Sequence, residues 1–336
     1  MNHIKKIAIV KLSAMGDIIH AMVALQYIKK NFPNILIDWF VEESFSKILE
    51  NNPHINNIYK VNLKSIKKNK LELFNQIKLI KEYSKNSYDL VIDAQGLIKS
   101  AVVSRLLCKN VAGFDKNSIR EKVATLFYNK KVSIAYDENT IDRNVKVLSS
   151  PLGFDITSKM ILEKEPFLFF EDENPIIYDF LDKEKKNVVF VIGSTWESRN
   201  YPKEKFLNIA NELKENCIVI WGCEKEKKKA LWLEQNSNYI KAISKIDLNT
   251  LKALISNINL VIGNDTGPTH MAWALNKPSI TIFGPTPINR IYQTSINKIV
   301  KSNSNVDHFK LDKNDFSIRE INENLIIKEA KSLLYG

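Results

Sequence analysis

The sequence predicts an α/β protein with two doubly wound parallel sheets and a cleft between them. Three observations predict it. Short apolar runs alternate with helical stretches in both halves of the chain. The alternation breaks between residues 153 and 175, where Pro166, the acidic run Glu171-Asp172-Glu173 and Pro175 mark a domain edge. A chain of 336 residues is also too long for one small core and suits two domains. The expected divisions are a domain over 1–160, a second over 175–317, and a final helix over 318–336 that crosses back to the first domain.

In the first half, residues 7–10 (Ile-Ala-Ile-Val) are a continuous apolar run that suits a buried strand. A helix is predicted over 17–30, a strand over 35–41 and a helix over 44–51. A weaker strand lies near 58–61, followed by a lysine-rich helix. Residues 88–93 form a strand and 97–107 a helix carrying Val102, Val103, Leu106 and Leu107. Short elements follow at 111–114 and 119–128.

The second half starts again with a strand over 188–192 that ends in Gly193-Ser194-Thr195. Pro202 opens a helix to about residue 215, as prolines do at helix starts. A strand over 217–221 ends at Gly222, and Asp247 caps a helix to about residue 256. The strand at 260–262 runs into Gly263 and the loop Asn264-Asp265-Thr266-Gly267, after which Pro268 opens an apolar helix. A strand over 279–283 and an amphipathic helix over 318–334 complete the order. No internal sequence repeat is evident; the halves share architecture alone.

Ligands of such sheets bind outside the carboxyl ends of the strands. The informative loops fall there: after Val10, Ile92, Ile192, Trp221, Ile262 and Phe283. The loop at 264–270 is the most telling. A helix start presents unpaired N–H groups and the positive end of the helix dipole, so it attracts anions. The amides of Gly267, Thr269 and His270 are expected to point at the ligand, with hydroxyls from Thr266 and Thr269. The diphosphate of a nucleotide is the simplest ligand; an ordinary turn with Asp265 as a cap is the alternative.

Composition narrows the classes. The 44% hydrophobic and 26% charged fractions are those of a globular protein in water. The N-terminal apolar run is only four residues before Lys11, too short for a signal peptide. No apolar stretch approaches the roughly 18 residues that span a membrane. Cys108, Cys217 and Cys223 show no paired metal spacing, which points to a reducing cytoplasm; Cys217 and Cys223 are read as small buried hydrophobes. His-Glu-x-x-His, Cys-x-x-Cys and Asp-x-Asp are absent, so no metal is expected. A Gly-x-Ser-x-Gly elbow is absent too.

The net charge of +11 calls for nucleic acid, an anionic membrane or an acidic substrate. Lys60, Lys64, Lys67, Lys68, Lys70, Lys78, Lys81 and Lys85 face only Glu72 and Glu82 along their segment. Phe74 and Tyr83 are too few to serve as base-stacking platforms, and no nucleic-acid motif accompanies them, so nucleic acid is not expected. A solvated helix face and an acceptor patch both remain open.

Several polar residues are candidates for chemistry. Asp17 follows the first strand, in the first turn of a helix. It is either a carboxylate stabilised by the helix dipole or a general base that takes a proton from a sugar hydroxyl. His20 either orients it or packs. Asp93 either caps the next helix or joins Gln95 and Lys99 at the cleft. Ser194, Thr195 and Arg199 suit a phosphate, which an arginine grips with two donors, or form a plain surface loop. Glu226 follows a strand, where carboxylates accept ribose hydroxyls.

Five stretches together resemble the ADP-heptose:lipopolysaccharide heptosyltransferases, glycosyltransferase family 9. They are Val10-Lys-Leu-Ser-Ala-Met-Gly-Asp-Ile-Ile-His20, Trp39-Phe-Val-Glu-Glu43, Val91-Ile-Asp-Ala-Gln-Gly-Leu-Ile-Lys-Ser100, Arg120-Glu-Lys-Val-Ala-Thr-Leu-Phe-Tyr-Asn129 and Asp265-Thr-Gly-Pro-Thr-His270. The Met-Gly-Asp-Ile-Ile-His and Asp-Ala-Gln-Gly stretches look like the branch that adds the first heptose to Kdo. The resemblance implies the GT-B fold of two Rossmann-like domains and an inverting transfer of L-glycero-D-manno-heptose from ADP-heptose to Kdo-lipid A. It gives Asp17 as the catalytic base. It gives Ser194, Thr195, Arg199, Glu226, Asp265, Thr266, Gly267 and His270 to the donor, with Arg199 where the family usually has Lys. It gives Ser13, Lys64, Lys67, Lys68 and Arg120 to the acceptor. No cofactor is expected to be required. The expected partners are an ADP-sugar donor and an acidic Kdo-lipid A acceptor at the inner membrane surface, met by a cytoplasmic, peripheral monomer. An ADP-heptose transferase with another acceptor, and a nucleotide-binding protein without catalysis, are the alternatives.

Overall fold

The structure, a computed structural model, describes residues 4–336, Lys67 by its backbone alone. The chain divides into two compact units, one ending at Phe169 and the other beginning at Phe170. Each is built on a six-stranded sheet whose neighbours all run parallel.

The strands of the first unit are β1 (Lys6–Val10), β2 (Leu36–Glu42), β3 (Asn57–Val61), β4 (Leu90–Asp93), β5 (Val111–Phe114) and β6 (Lys130–Val132), in the order β3-β2-β1-β4-β5-β6. Those of the second are β7 (Asn187–Val191), β8 (Asn216–Ile220), β9 (Ile240–Ala242), β10 (Leu260–Asn264), β11 (Ser279–Phe283) and β12 (Asn297–Lys301), in the order β12-β11-β10-β7-β8-β9. Counted from its own first strand, each sheet has the same order. Each therefore reverses its winding between its first and fourth strands, at β1/β4 and at β7/β10. The helices on either side diverge there and leave a crevice at the strand ends.

The central strands were legible because both their faces are covered, which requires continuous apolar runs. β7, β8, β10 and β11 are buried along their whole length. The strands that the sequence did not announce, β6, β9 and β12, are all sheet edges. Edge strands bury less and need no such run; β6 begins with two exposed lysines, Lys130 and Lys131.

Other expectations are corrected. The helix expected over 17–30 is two helices, Met15–Met22 and Ala24–Asn31, divided at Val23. The helix expected over 44–51 is a 3₁₀ helix, Glu43–Ile48. Cys217 is buried, and burial pushes its thiol pKa up, but Cys223 is exposed at the start of the helix Glu224–Gln235. The last helix, Glu323–Tyr335, belongs to the second unit. Its apolar face, Ile326, Ile327, Ala330 and Leu334, joins the core of the second. The helix Lys203–Leu213 receives it, with Lys205 and Asn208 reaching Glu323 at 3.5 and 2.9 Å. An amphipathic stripe identifies a helix as packed and says nothing about its partner.

Packing at β5 bears on the site below. A methyl group on Gly113 would stand 2.5 Å from the ring of Tyr128. That close approach lets the Tyr128 hydroxyl donate to Asp93 Oδ2 at 2.7 Å. Gly113→Ala is therefore expected to displace the ring and destabilise the first unit by about 1–3 kcal/mol, as overpacked cores are. Thermal unfolding measures it; an unchanged melting temperature would show that the ring has room to move.

Candidate active site

In the first unit, Asp17 occupies the third position of the helix Met15–Met22, directly after β1. It is half-buried, and its Oδ2 accepts the Ala14 N–H at 3.2 Å. That bond satisfies one orphan donor of the helix start and fixes the carboxylate. The preceding loop is pinned from β4. Gln95 Oε1 accepts the N–H groups of Leu12 and Ser13 at 3.0 and 3.1 Å. Gln95 is thus a brace, where the sequence suggested a cleft-facing side chain.

Asp93 organises that brace. Its Oδ1 accepts the N–H groups of Gln95 and Gly96 at 2.9 and 3.1 Å, and its Oδ2 accepts the hydroxyls of Ser100 and Tyr128. Burial pushes its carboxyl pKa up against these hydrogen bonds. Gly96 completes the turn at φ +71°, a left-handed conformation that suits glycine. Asp93 does not cap the next helix: Leu97 stands at that position, and its N–H goes to Ser100.

Beneath Asp17, Lys11 is buried at the end of β1 and donates to the Ala94 carbonyl at 2.7 Å and to Asn144 at 2.9 Å. Burial lowers its pKa, opposed by the charges of Asp17 and Asp93. At the end of β2, Glu42 is buried and its N–H bonds Leu12. Burial raises its carboxyl pKa, opposed first by Lys64 and then by Lys99. Neither Lys11 nor Glu42 had been singled out. Lys11 directly follows β1 and Glu42 ends β2, where apolar neighbours hide a polar residue's purpose.

The acceptor candidates are less closely held. Lys64, Lys68 and Arg120 are exposed. Lys64 reaches Ser44 Oγ at 3.2 Å and lies 4.6 Å over the Phe45 ring. The side chain of Lys67 lies outside the described residues. Ser13 is half-buried in the Gln95-held loop, and His20 is buried within its helix.

In the second unit, Asp265 directly follows β10 and is 2% exposed. Its Oδ1 lies 3.1 Å from His270 Nε2, and its Oδ2 accepts Arg199 Nη2 at 2.7 Å and the Thr286 hydroxyl at 3.0 Å. Arg290 Nε is 4.0 Å away. Burial alone would raise its pKa. The His270 hydrogen bond and the Arg199 and Arg290 charges outweigh burial and hold the carboxyl well below its usual range. An ionised carboxylate only accepts, so His270 Nε2 donates.

This corrects the donor loop in four ways. The helix Gly267–Ala274 begins at Gly267, so Pro268 is its second residue. The His270 N–H bonds the Thr266 carbonyl at 3.2 Å, which leaves the amides of Gly267 and Thr269 for an anion. The Thr269 hydroxyl donates inward to the Asn264 carbonyl at 2.7 Å. Arg199 does not hold its whole fork out to a phosphate, because one nitrogen is engaged by Asp265. Thr266, just before the helix, is half-buried.

The loop after β7 stands across the β7/β10 reversal. Ser194 is half-buried and Thr195 exposed. Glu226 lies in the first turn of Glu224–Gln235, where its Oε2 accepts the Gly222 N–H at 2.7 Å. A Cβ at Gly193 would sit 2.0 Å from Glu226 Oε1, so the glycine lets this carboxylate lie against the loop. Asn264, Thr286 and Arg290 had not been singled out. Asn264 is fully buried, and its Oδ1 accepts the Tyr201 N–H at 3.0 Å. Thr286 and Arg290 follow β11, a loop marked by position but not by residue.

Ser13 and Asp17 follow β1 at the first winding reversal, and Ser194, Thr195, Arg199 and Asp265 follow β7 and β10 at the second; the lysines after β3 and Arg120 after β5 lie away from both. A basic, amide-lined cradle suits an anionic group, and a fixed, half-buried carboxylate suits a proton acceptor. The signature of glycosyltransferase family 9 (heptosyltransferase) matches residues 76–317. Lipopolysaccharide heptosyltransferase 1 of Campylobacter coli is 40% identical over 98% of this chain and 98% of its own. The chain belongs to glycosyltransferase family 9. Lipopolysaccharide heptosyltransferase 1 of Escherichia coli K12 is 29% identical over 84% of this chain and 88% of its own. Among solved structures, E. coli heptosyltransferase WaaC with ADP matches with a TM-score of 0.80 at 25% identity, over 98% of this chain and 99% of that one. A family 9 transferase from Veillonella parvula matches at 0.81 and 20% identity, over 98% and 97%. The fold is thus the GT-B fold.

In this family 9 transferase, removing the Asp265 charge takes the buried counter-ion from the part-buried Arg199. Asp265→Asn is expected to cost about 3–5 kcal/mol, as the loss of one partner from a buried ion pair does. The pH sign follows from the lowered pKa. The carboxylate's stabilisation is present above the usual Asp range and is lost as pH falls through it toward the folded value. Acid unfolding of wild type should therefore be steeper than that of Asp265→Asn; equal slopes would contradict the ion pair.

Proposed function

We propose that this transferase moves L-glycero-D-manno-heptose from ADP-heptose to the Kdo of Kdo-lipid A, in the synthesis of the lipopolysaccharide inner core. The end-to-end likeness to a lipopolysaccharide heptosyltransferase 1 carries the proposal. The position of Asp17 at the β1/β4 reversal is consistent with it.

The second unit holds the donor. The diphosphate lies against the amides of Gly267 and Thr269, with Thr266 and the hydroxyls of Ser194 and Thr195 around it, and Glu226 takes the ribose. Arg199, Arg290 and His270, held by Asp265, supply positive potential and donors. The first unit holds the acceptor, its acidic groups drawn to Lys64, Lys67, Lys68 and Arg120, with Ser13 beside the base. Asp17 takes the proton of the Kdo hydroxyl as that oxygen bonds the anomeric carbon. The bond from that carbon to the ADP oxygen breaks, and ADP leaves with the electron pair. Charge growing on the leaving phosphate meets preorganised donors, which lowers the barrier without rearrangement. One direct displacement inverts the anomeric centre and needs no second carboxylate as nucleophile. No metal ion or other cofactor is assigned to the reaction. The protein works as a monomer at the cytoplasmic face of the inner membrane.

Incubation with ADP-heptose and Kdo-lipid A, with the product weighed by mass spectrometry, tests the reaction itself. Asp17→Asn should keep the fold and the affinity for ADP but lower turnover by roughly 10²–10⁴, the usual contribution of a general base. Near-normal turnover would remove Asp17 from the mechanism. Replacing Lys64 and Lys68 with Ala should raise the acceptor KM several times more than the donor KM. Equal effects on both substrates would argue against an acceptor patch.

A further inference from the structure

The most exposed large apolar side chains of the first unit cluster on neighbouring elements. Leu71 and Phe74, at the start of the helix Glu72–Tyr83, are 69% and 71% exposed. Val123 and Leu126, in the 3₁₀ helix Lys122–Phe127, are 55% and 80% exposed. The helix Ile98–Leu107 packs against both of these elements and adds exposed Ile98 and Val102. Scattered apolar residues on a surface need no explanation; six on three neighbouring elements do.

The helix Glu72–Tyr83 gives the set a direction. Residues 71, 74, 78 and 81 recur at the three- and four-residue spacing of one helix face. That face reads Leu-Phe-Lys-Lys, and Lys78 and Lys81 are exposed along with the two apolar tips. The opposite face buries Gln76 and Ile80 against the unit. Apolar tips beside lysines are what an anionic lipid surface binds, since apolar side chains enter the headgroup boundary while lysine stems reach its phosphates. No helix among the described residues is long and apolar enough to cross a membrane.

We propose that this face, led by Leu71, Phe74, Val123 and Leu126 with Lys78 and Lys81 beside them, docks the first unit onto an anionic phospholipid surface. It rests on the proposed function only in that a lipid-anchored acceptor gives the docking a purpose. None of these six residues belongs to the acceptor or donor sites assigned above. Charge complementarity favours lipid over a second copy of the chain, because two such basic faces repel.

Sedimentation of the whole protein with vesicles tests the proposal, without any sugar substrate. Wild type should sediment with vesicles of three parts phosphatidylethanolamine to one part phosphatidylglycerol at low salt, and weakly with phosphatidylcholine alone. Phe74→Ser with Leu126→Ser should weaken partitioning roughly ten-fold or more. Lys78→Gln with Lys81→Gln should weaken it by roughly 25-fold, about five-fold per lysine, and only at low salt. Because all four side chains are exposed, melting temperatures should not change. Transfer of heptose to an acceptor stripped of its acyl chains should match wild type in every variant. Wild type left in the supernatant with anionic vesicles, or a serine variant that binds like wild type, would overturn the proposal. So would wild-type dimers that Phe74→Ser dissociates, which would make the face a contact between copies. Normal vesicle binding with no transfer to any acceptor would overturn the proposed function and leave the docking face standing.

Discussion

A buried ionised carboxylate is a liability unless every lone pair is answered. The second unit turns this liability into order. Asp265 answers it with His270 from the helix that follows it, Arg199 from the loop after β7, and Thr286 and Arg290 from the loop after β11. Three separate chain segments are fixed relative to one another because one charge must be satisfied. The cradle follows from that constraint: the helix start at Gly267 and the Arg199 loop take their places around the same two oxygens. The first unit repeats the device at the same point of the same topology. Asp93 ends β4, the fourth strand there as β10 is in its sheet, and gathers Gln95, Gly96, Ser100 and Tyr128. Gln95 then passes that order to the backbone before Asp17. The two aspartates differ in charge logic. Cations and a histidine lower the pKa of Asp265, whereas neutral donors leave that of Asp93 raised by burial.

Much of the architecture was legible because parallel sheets write themselves as apolar runs. Residues 7–10, 188–192 and 279–283 could hardly be anything else, and the break near Pro175 separated two sets of them. Edges escaped, since β6, β9 and β12 have too little to bury. The site was legible in position more than in contact. Asp17, Ser194, Arg199, Glu226 and Asp265 all lie at strand ends, as expected, because a strand end is a local property. Who holds whom is not local. The bonds from Arg199 to Asp265 and from Gln95 to Ser13 span 66 and 82 residues, and no spacing rule reaches that far. The Thr269 hydroxyl shows the same limit from the other side. It sits in an anion-binding motif yet turns inward to the Asn264 carbonyl, where it closes the buried end of β10.

The positive charge likewise divides by neighbourhood. Lys11 is buried and braces a loop. Lys64 stacks on Phe45 beside the buried Glu42. Lys225 and Lys229 pair with Glu197 next to the donor loop. One residue type thus does three jobs, from internal brace to surface ion pair, and burial and the nearest carboxylate decide which.

Each outermost strand also carries lysine: Lys60 in β3, Lys130 and Lys131 in β6, Lys241 in β9, Lys298 and Lys301 in β12. An open sheet ends in a row of unpaired backbone groups that invites another chain to add a strand, and a charged side chain there makes such pairing costly. Part of the +11 is therefore insurance against fibrils and clumps. A protein with two open sheets has four such rims to guard. Replacing these particular lysines with uncharged residues would open those rims to strand addition by a neighbouring molecule.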